Sequence, residues 1–110
     1  MANTKIKEIV RNDLIQICKP FTVYCVPVIT PHDSVMDIMV GLKYNSSADW
    51  FGVRVNGVTP PTKIQISQTI RRGLDRRIIM FIAYIDKETK QVMYTPDITD
   101  TITWLMKGGK

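Results

Sequence analysis

The stretch Ile78 to Ile85 (IIMFIAYI) is the longest apolar run in the chain, and its eight residues constrain the architecture more than any other feature. A membrane helix needs roughly 20 apolar residues, so this run does not span a bilayer. Rich in β-branched and aromatic residues and lacking polar alternation, it reads as a strand buried on both faces. The rest of the chain must therefore supply a layer on each side of a sheet. With 110 residues, 45% of them hydrophobic and 23% charged, the chain has the size of one ordinary domain. A chain of this length buries about two thirds of its unfolded surface, and its core needs neither disulfide nor metal. We assign residues 1–107 to that single domain and residues 108–110, Gly-Gly-Lys, to a flexible tail.

Hydrophobic periodicity supplies the layers. From Lys5 to Cys18, the residues Ile6, Ile9, Val10, Leu14 and Ile17 form one stripe of an amphipathic helix, with Asn3 or Thr4 available as N-cap and Pro20 as the stop. Phe21 to Ile29 reads as a strand, and Pro27 argues that it lies at an edge or a bulge. A turn over Thr30 to Ser34 leads to a strand from Val35 to Tyr44, covered on both faces, and Asn45 to Asp49 reads as a loop. Trp50 to Asn56 alternates, with Phe51, Val53 and Val55 on one face and Trp50, Gly52, Arg54 and Asn56 on the other. Thr62 and Gln65 have capping-box spacing at the start of a helix running to about Leu74, with Ile66, Ile70 and Leu74 facing the core. After Ile78 to Ile85 come a polar turn, a short strand from Gln91 to Tyr94, and a last helix capped by Asp97 or Thr99 that ends at Met106. The expected fold is α/β (α+β): one mixed sheet of about five strands with helices on both sides, in the order α-β-β-β-α-β-β-α.

Charge and cysteine use narrow the function classes. The formal net charge of +5 permits a nucleic acid or an acidic protein as partner without requiring either. Cys18 and Cys25 lack zinc-site spacing and read as buried, reduced thiols. The leading residues Met-Ala-Asn-Thr-Lys-Ile-Lys contain no apolar h-region, so the expected location is cytoplasmic, with no membrane partner. Common catalytic signatures are missing: one histidine (His32, in the turn), no G-x-S-x-G, no Gly-rich phosphate loop and no H-E-x-x-H. Acyl transfer and zinc hydrolysis are disfavoured.

The middle of the chain carries the remaining signal, in Ser34-Val35-Met36-Asp37-Ile38-Met39-Val40, Phe51-Gly52-Val53-Arg54-Val55-Asn56 and Pro61-Thr62-Lys63-Ile64-Gln65. This order resembles the PD-(D/E)xK nuclease superfamily, and its small VRR-Nuc type in particular. The resemblance covers roughly residues 31–84, with Glu8 matching the family's leading acidic helix more loosely. It implies a restriction-endonuclease-like fold in which an Asp, a Glu-x-Lys and a Gln assemble a magnesium site for phosphodiester cleavage. It also implies that such domains often act as dimers. Carried over, Asp37 falls at the metal-binding Asp, with Met36 in place of the usual Pro, and Gln65 falls at the family's Gln. Arg54 stands where the acidic ligand would be and Asn56 where the catalytic Lys would be. A guanidinium repels magnesium, which takes oxygen ligands, and loss of the lysine removes a charge that would position water. As written, Asp37, Gln65 and Glu8 are vestigial site positions, and no cofactor is expected.

Arg54 and Asn56 share a strand face, and the proposed register sets Asp37 beside Arg54 on the neighbouring strand. An Asp37–Arg54 ion pair, joined by Glu8, is therefore the expected replacement for the metal, and breaking such a buried pair costs about 3–5 kcal/mol. Down the second helix, Gln65, Thr69, Arg72 and Arg76 form one polar stripe opposite the apolar one. With Lys63, Arg71 and Arg77 they make residues 62–77 the most basic part of the chain. The first reading is a catalytically degenerate domain that binds DNA or RNA through a cleft around Arg54, Lys63, Arg72 and Arg76.

Plainer readings stand beside it. The capping box alone explains Gln65, a helix end prefers cations, and Glu8 is by default solvent-exposed. Trp50, Phe51, Tyr24, Phe81 and Tyr84 are core residues before they are stacking platforms. Two alternative functions follow. One is a protein-interaction module, an inhibitor or accessory subunit, using the sheet edge or last helix toward a partner or a second copy. The other is an active nuclease using Mg or Mn, with Glu8, Asp33 or Asp37 as ligands and Lys63 in place of the lost lysine.

Overall fold

Short β-branched runs separated by helix-period segments produce the layers that the sequence requires. The computed structural model describes residues 2–19, 24–30, 35–44 and 47–106. In chain order these form α1 (Ala2–Cys18), β1 (Tyr24–Ile29), β2 (Ile38–Tyr44), β3 (Ser47–Val55), α2 (Lys63–Asp75), β4 (Ile79–Ile85), β5 (Val92–Thr95) and α3 (Ile98–Met106). The strands form one mixed sheet in the order β1-β2-β3-β4-β5. All neighbours pair antiparallel except β3 and β4, which are parallel and joined through α2. This is the expected α+β order, and β1 with its Pro27 lies at an edge, where a missing amide disturbs no central ladder.

Alternation along the strands sorts residues between two faces. Ile38, Val40 and Leu42 of β2, Phe51 and Val53 of β3, and Phe81 and Ala83 of β4 pack with Val10, Leu14 and Cys18 of α1 and Ile98 and Ile102 of α3. Phe51 and Phe81 meet edge to face at 5.2 Å between ring centroids. A second, smaller cluster of Val35, Met36 and Met80 lies with Met39 and Ile78. It belongs to the other face, where α2 rests on β4. Among the described residues, no helix is long and apolar enough to cross a membrane.

Several elements depart from the sequence reading. Helix α1 begins at Ala2, so Asn3 and Thr4 lie inside it, and Ile9 of the expected stripe is exposed. Strand β2 begins at Ile38, because Val35 and Met36 turn away to pack on Met80. Ser47 to Asp49 continue β3 and pair with Tyr44 to Leu42, where a loop was expected. Residues 20–23, 31–34 and 107–110, with Pro20, His32, Asp33 and the expected tail, lie outside the described residues. Among the expected core aromatics, Phe51 and Phe81 are buried and Tyr84 is half-buried, whereas Trp50 is exposed. The Tyr24 side chain is outside the description.

The largest departure is in α2. Thr69 and Gly73 face the sheet, while Ile70 and Leu74 are exposed and Ile66 is half-buried. A Cβ on Gly73 would come within 2.4 Å of Met80 Cγ and 2.7 Å of the Ile78 carbonyl oxygen. The helix therefore approaches β4 through its small residues, a separation that a row of isoleucines would not allow.

Candidate functional site

Asp37 stands where β2 is about to begin, and each of its polar groups is engaged. Its amide donates to the Val53 carbonyl at 2.9 Å, and its carbonyl accepts from the Thr30 amide at 2.9 Å. Oδ2 accepts from the Val55 amide at 2.7 Å, and Oδ1 lies 3.2 Å from Lys7 Nζ. Asp37 thus bonds to both backbone neighbours of Arg54, yet the cation paired with its carboxylate is Lys7 of α1. The expected Asp37–Arg54 ion pair is replaced by this one. The physical reason is local: the ladder's last carbonyl position is filled by a side chain, which turns the carboxylate along the strand ends toward α1.

The other positions expected at the site have local duties. Gln65 closes the capping box on Thr62: the Gln65 amide donates to Thr62 Oγ1 at 3.2 Å, and the Thr62 amide donates to Gln65 Oε1 at 2.9 Å. Asn56 Nδ2 donates to the Thr59 carbonyl at 2.8 Å, closing the turn in which Gly57 takes φ +69. Glu8 is exposed on α1, next to Lys7. Arg54 is half-buried on β3, beside Ile82 of β4.

These residues do not fit a magnesium centre. Both Asp37 oxygens are committed to the Val55 amide and the Lys7 ammonium, and a guanidinium sits in the next strand position. Among the described residues, no three His, Cys, Asp or Glu side chains gather as a metal site would need.

The basic residues are arranged differently. Lys63, Arg71, Arg72, Arg76 and Arg77 are all exposed. Ile70 and Leu74 point toward Pro96, just after β5, and with Ile78 and Ile79 line an apolar groove of about 330 Å³. At roughly 100° per residue, Arg72 and Arg76 then fall on the opposite flank of α2. Because β3 and β5 lie on either side of β4, that flank borders the β3 side of the sheet. There the sheet face away from the main core carries Trp50, 55% exposed, with Val26, Val28 and Lys43 also exposed. Sequence periodicity put Trp50 and Arg54 on one face but gave no sign that α2 would leave the Trp50 end of that face open.

A comparison of the chain with protein-family models, curated proteins and solved structures finds no match in any of the three. The class that stands is therefore that of the fold: a mixed five-stranded α+β sheet with helices on both faces.

Proposed function

We propose that this chain is a nucleic-acid-binding domain on a PD-(D/E)xK-like scaffold whose catalytic centre is inert. One observation carries the reading: the arginine-bearing flank of α2 borders a sheet face whose exposed part carries Lys43 and Trp50, with Arg54 half-buried on the same face beyond the Met36 and Met80 side chains that cover Gly52. A basic wall beside such a floor is the electrostatic footprint of a phosphate backbone. Inertness follows from Asp37, whose carboxylate serves the β3 end and Lys7. The reading needs no cofactor, takes DNA or RNA as partner and belongs to the cytoplasm, where free thiols such as Cys18 and Cys25 stay reduced.

Fluorescence anisotropy of labelled DNA and RNA, with and without magnesium, tests it. Binding should weaken with salt along a log–log slope of about −0.9 per neutralised phosphate, without cleavage. Arg72→Glu should reduce affinity at every sequence. No binding at low salt sinks the proposal. Cut product that a chelator abolishes would instead favour an active nuclease with ligands among Glu8, Asp33 and Asp37 and with Lys63 as its cation.

The apolar groove supports a second reading. Leu74 is 71% exposed beside Ile70 and Ile79, more apolar surface than an isolated helix flank needs. A protein-interaction module, an inhibitor, accessory subunit or homodimer, would use that side. Sedimentation that changes with concentration, or loss of self-association in Leu74→Glu, would favour it.

A further inference from the structure

Trp50 is a large aromatic side chain left in solvent on a strand whose next residue, Phe51, is fully buried. Its orientation is fixed by a glycine. Gly41 is its register partner on β2, and a Cβ there would lie 2.8, 3.0 and 3.3 Å from the indole atoms Cζ3, Cη2 and Cε3. Three atoms of the six-membered ring therefore rest over the Gly41 backbone, so the indole lies down on the sheet with its other side facing solvent. Val26, the partner of Gly41 on β1, continues the same cross-strand row.

We propose that this face of β1–β3 takes single-stranded nucleic acid, with an unpaired base stacked on the Trp50 indole. The proposal rests on the nucleic-acid reading above and names the form of the ligand. A ring lying in the plane of a sheet offers a π-face, and a base presents its own π-face only when it is unstacked, so duplex interiors are excluded. Charge complementarity selects the polyanion: Lys43 is exposed on the same face, and Arg72 stands on the adjoining flank of α2. Asp49, the nearest acid along β3, pairs with Leu42 and so belongs to the opposite face. Arg54, four residues further along β3, is half-buried beyond Gly52, over which Met36 and Met80 pack, so the open platform is the Trp50 end of the face.

The chain has two tryptophans, so Trp104→Phe leaves Trp50 as the sole indole reporter. That protein is titrated with oligothymidylate, a blunt duplex of equal length, and heparin, which has charge but no bases. Oligothymidylate should quench Trp50 fluorescence and bind about tenfold tighter than duplex. Trp50→Ala should lose about tenfold in single-strand affinity while duplex and heparin binding stay unchanged. Gly41→Ala, which keeps every charge and the tryptophan but lifts the indole, should lose a similar factor. Circular dichroism confirms that each variant is folded.

Single-strand binding that neither quenches Trp50 nor falls in the two variants overturns the platform and leaves the nucleic-acid reading standing. No binding to any of the three at low salt overturns both.

Discussion

Asp37 Oδ2 accepts the Val55 amide at 2.7 Å, so a side chain occupies the place of a backbone carbonyl where β3 outruns β2. A hydrogen bond to an ionised acceptor of this kind contributes about 1.5–3 kcal/mol. Asp37→Ala should lower the unfolding free energy by that amount in urea denaturation. The Lys7 partner is partly exposed, so Lys7→Met should cost only about 0–1 kcal/mol. Equal losses in the two variants would mean that the ion pair, and not the strand-end bond, holds Asp37.

Magnesium should leave the fold untouched. Ligands that bind only the native state raise the melting temperature with concentration, so a metal centre would reveal itself in a thermal scan. With both Asp37 oxygens engaged, we expect no shift as magnesium or manganese is raised. A rise that Asp37→Asn abolishes would restore the metal site.

Gly73→Ala separates helix propensity from packing. In an exposed helix the change would stabilise by about 1 kcal/mol. Here the added Cβ meets the Ile78 carbonyl oxygen at 2.7 Å, a backbone atom that cannot swing aside. The expected outcome is destabilisation by about 1–3 kcal/mol, read from the denaturation midpoint.

Acidity should act through Asp13, which accepts a hydrogen bond from the Tyr94 hydroxyl at 2.8 Å. Burial raises the Asp13 carboxyl above its ordinary 3.8, and the Tyr94 bond opposes that less strongly. Tyr94 is itself pushed upward, by burial first and then by the Asp13 charge, so it stays a donor. A raised carboxyl pKa gives stability that is fully present below 3.8 and lost as pH rises through the folded value. Asp13→Asn keeps an acceptor for Tyr94 and removes the buried charge. Its melting temperature should exceed the parent's at pH 7, and the gain should vanish well below pH 3.8. A pH-independent difference would point to packing.

The capping box gives a local check: Thr62→Ala should cost about 1 kcal/mol. Gln65→Ala should also destabilise α2 without changing nucleic-acid affinity, since Gln65 Oε1 is spent on the Thr62 amide. A selective loss of binding in Gln65→Ala would return this residue to the ligand site.

Element order, the Thr62–Gln65 cap and the shared face of Phe51 and Val53 were determined by the sequence alone, because each follows from spacing or from one residue's backbone chemistry, whereas Pro27 left β1 at an edge or a bulge and the fold set it at the edge. Periodicity also showed that α2 has an apolar stripe and set Ile66, Ile70 and Leu74 toward the core, which the structure reverses for Ile70 and Leu74. Tertiary structure decided which side meets the sheet: close approach at Gly73 and Met80 turned Thr69 inward and left Ile70 and Leu74 in solvent. It likewise gave Asp37 to Lys7 and Val55 instead of Arg54, since partners of a carboxylate at a strand end depend on which helix passes by. The exposure of Trp50 has the same origin. A strand pattern names the face on which a side chain lies, and only the placement of the covering helix determines whether water reaches it.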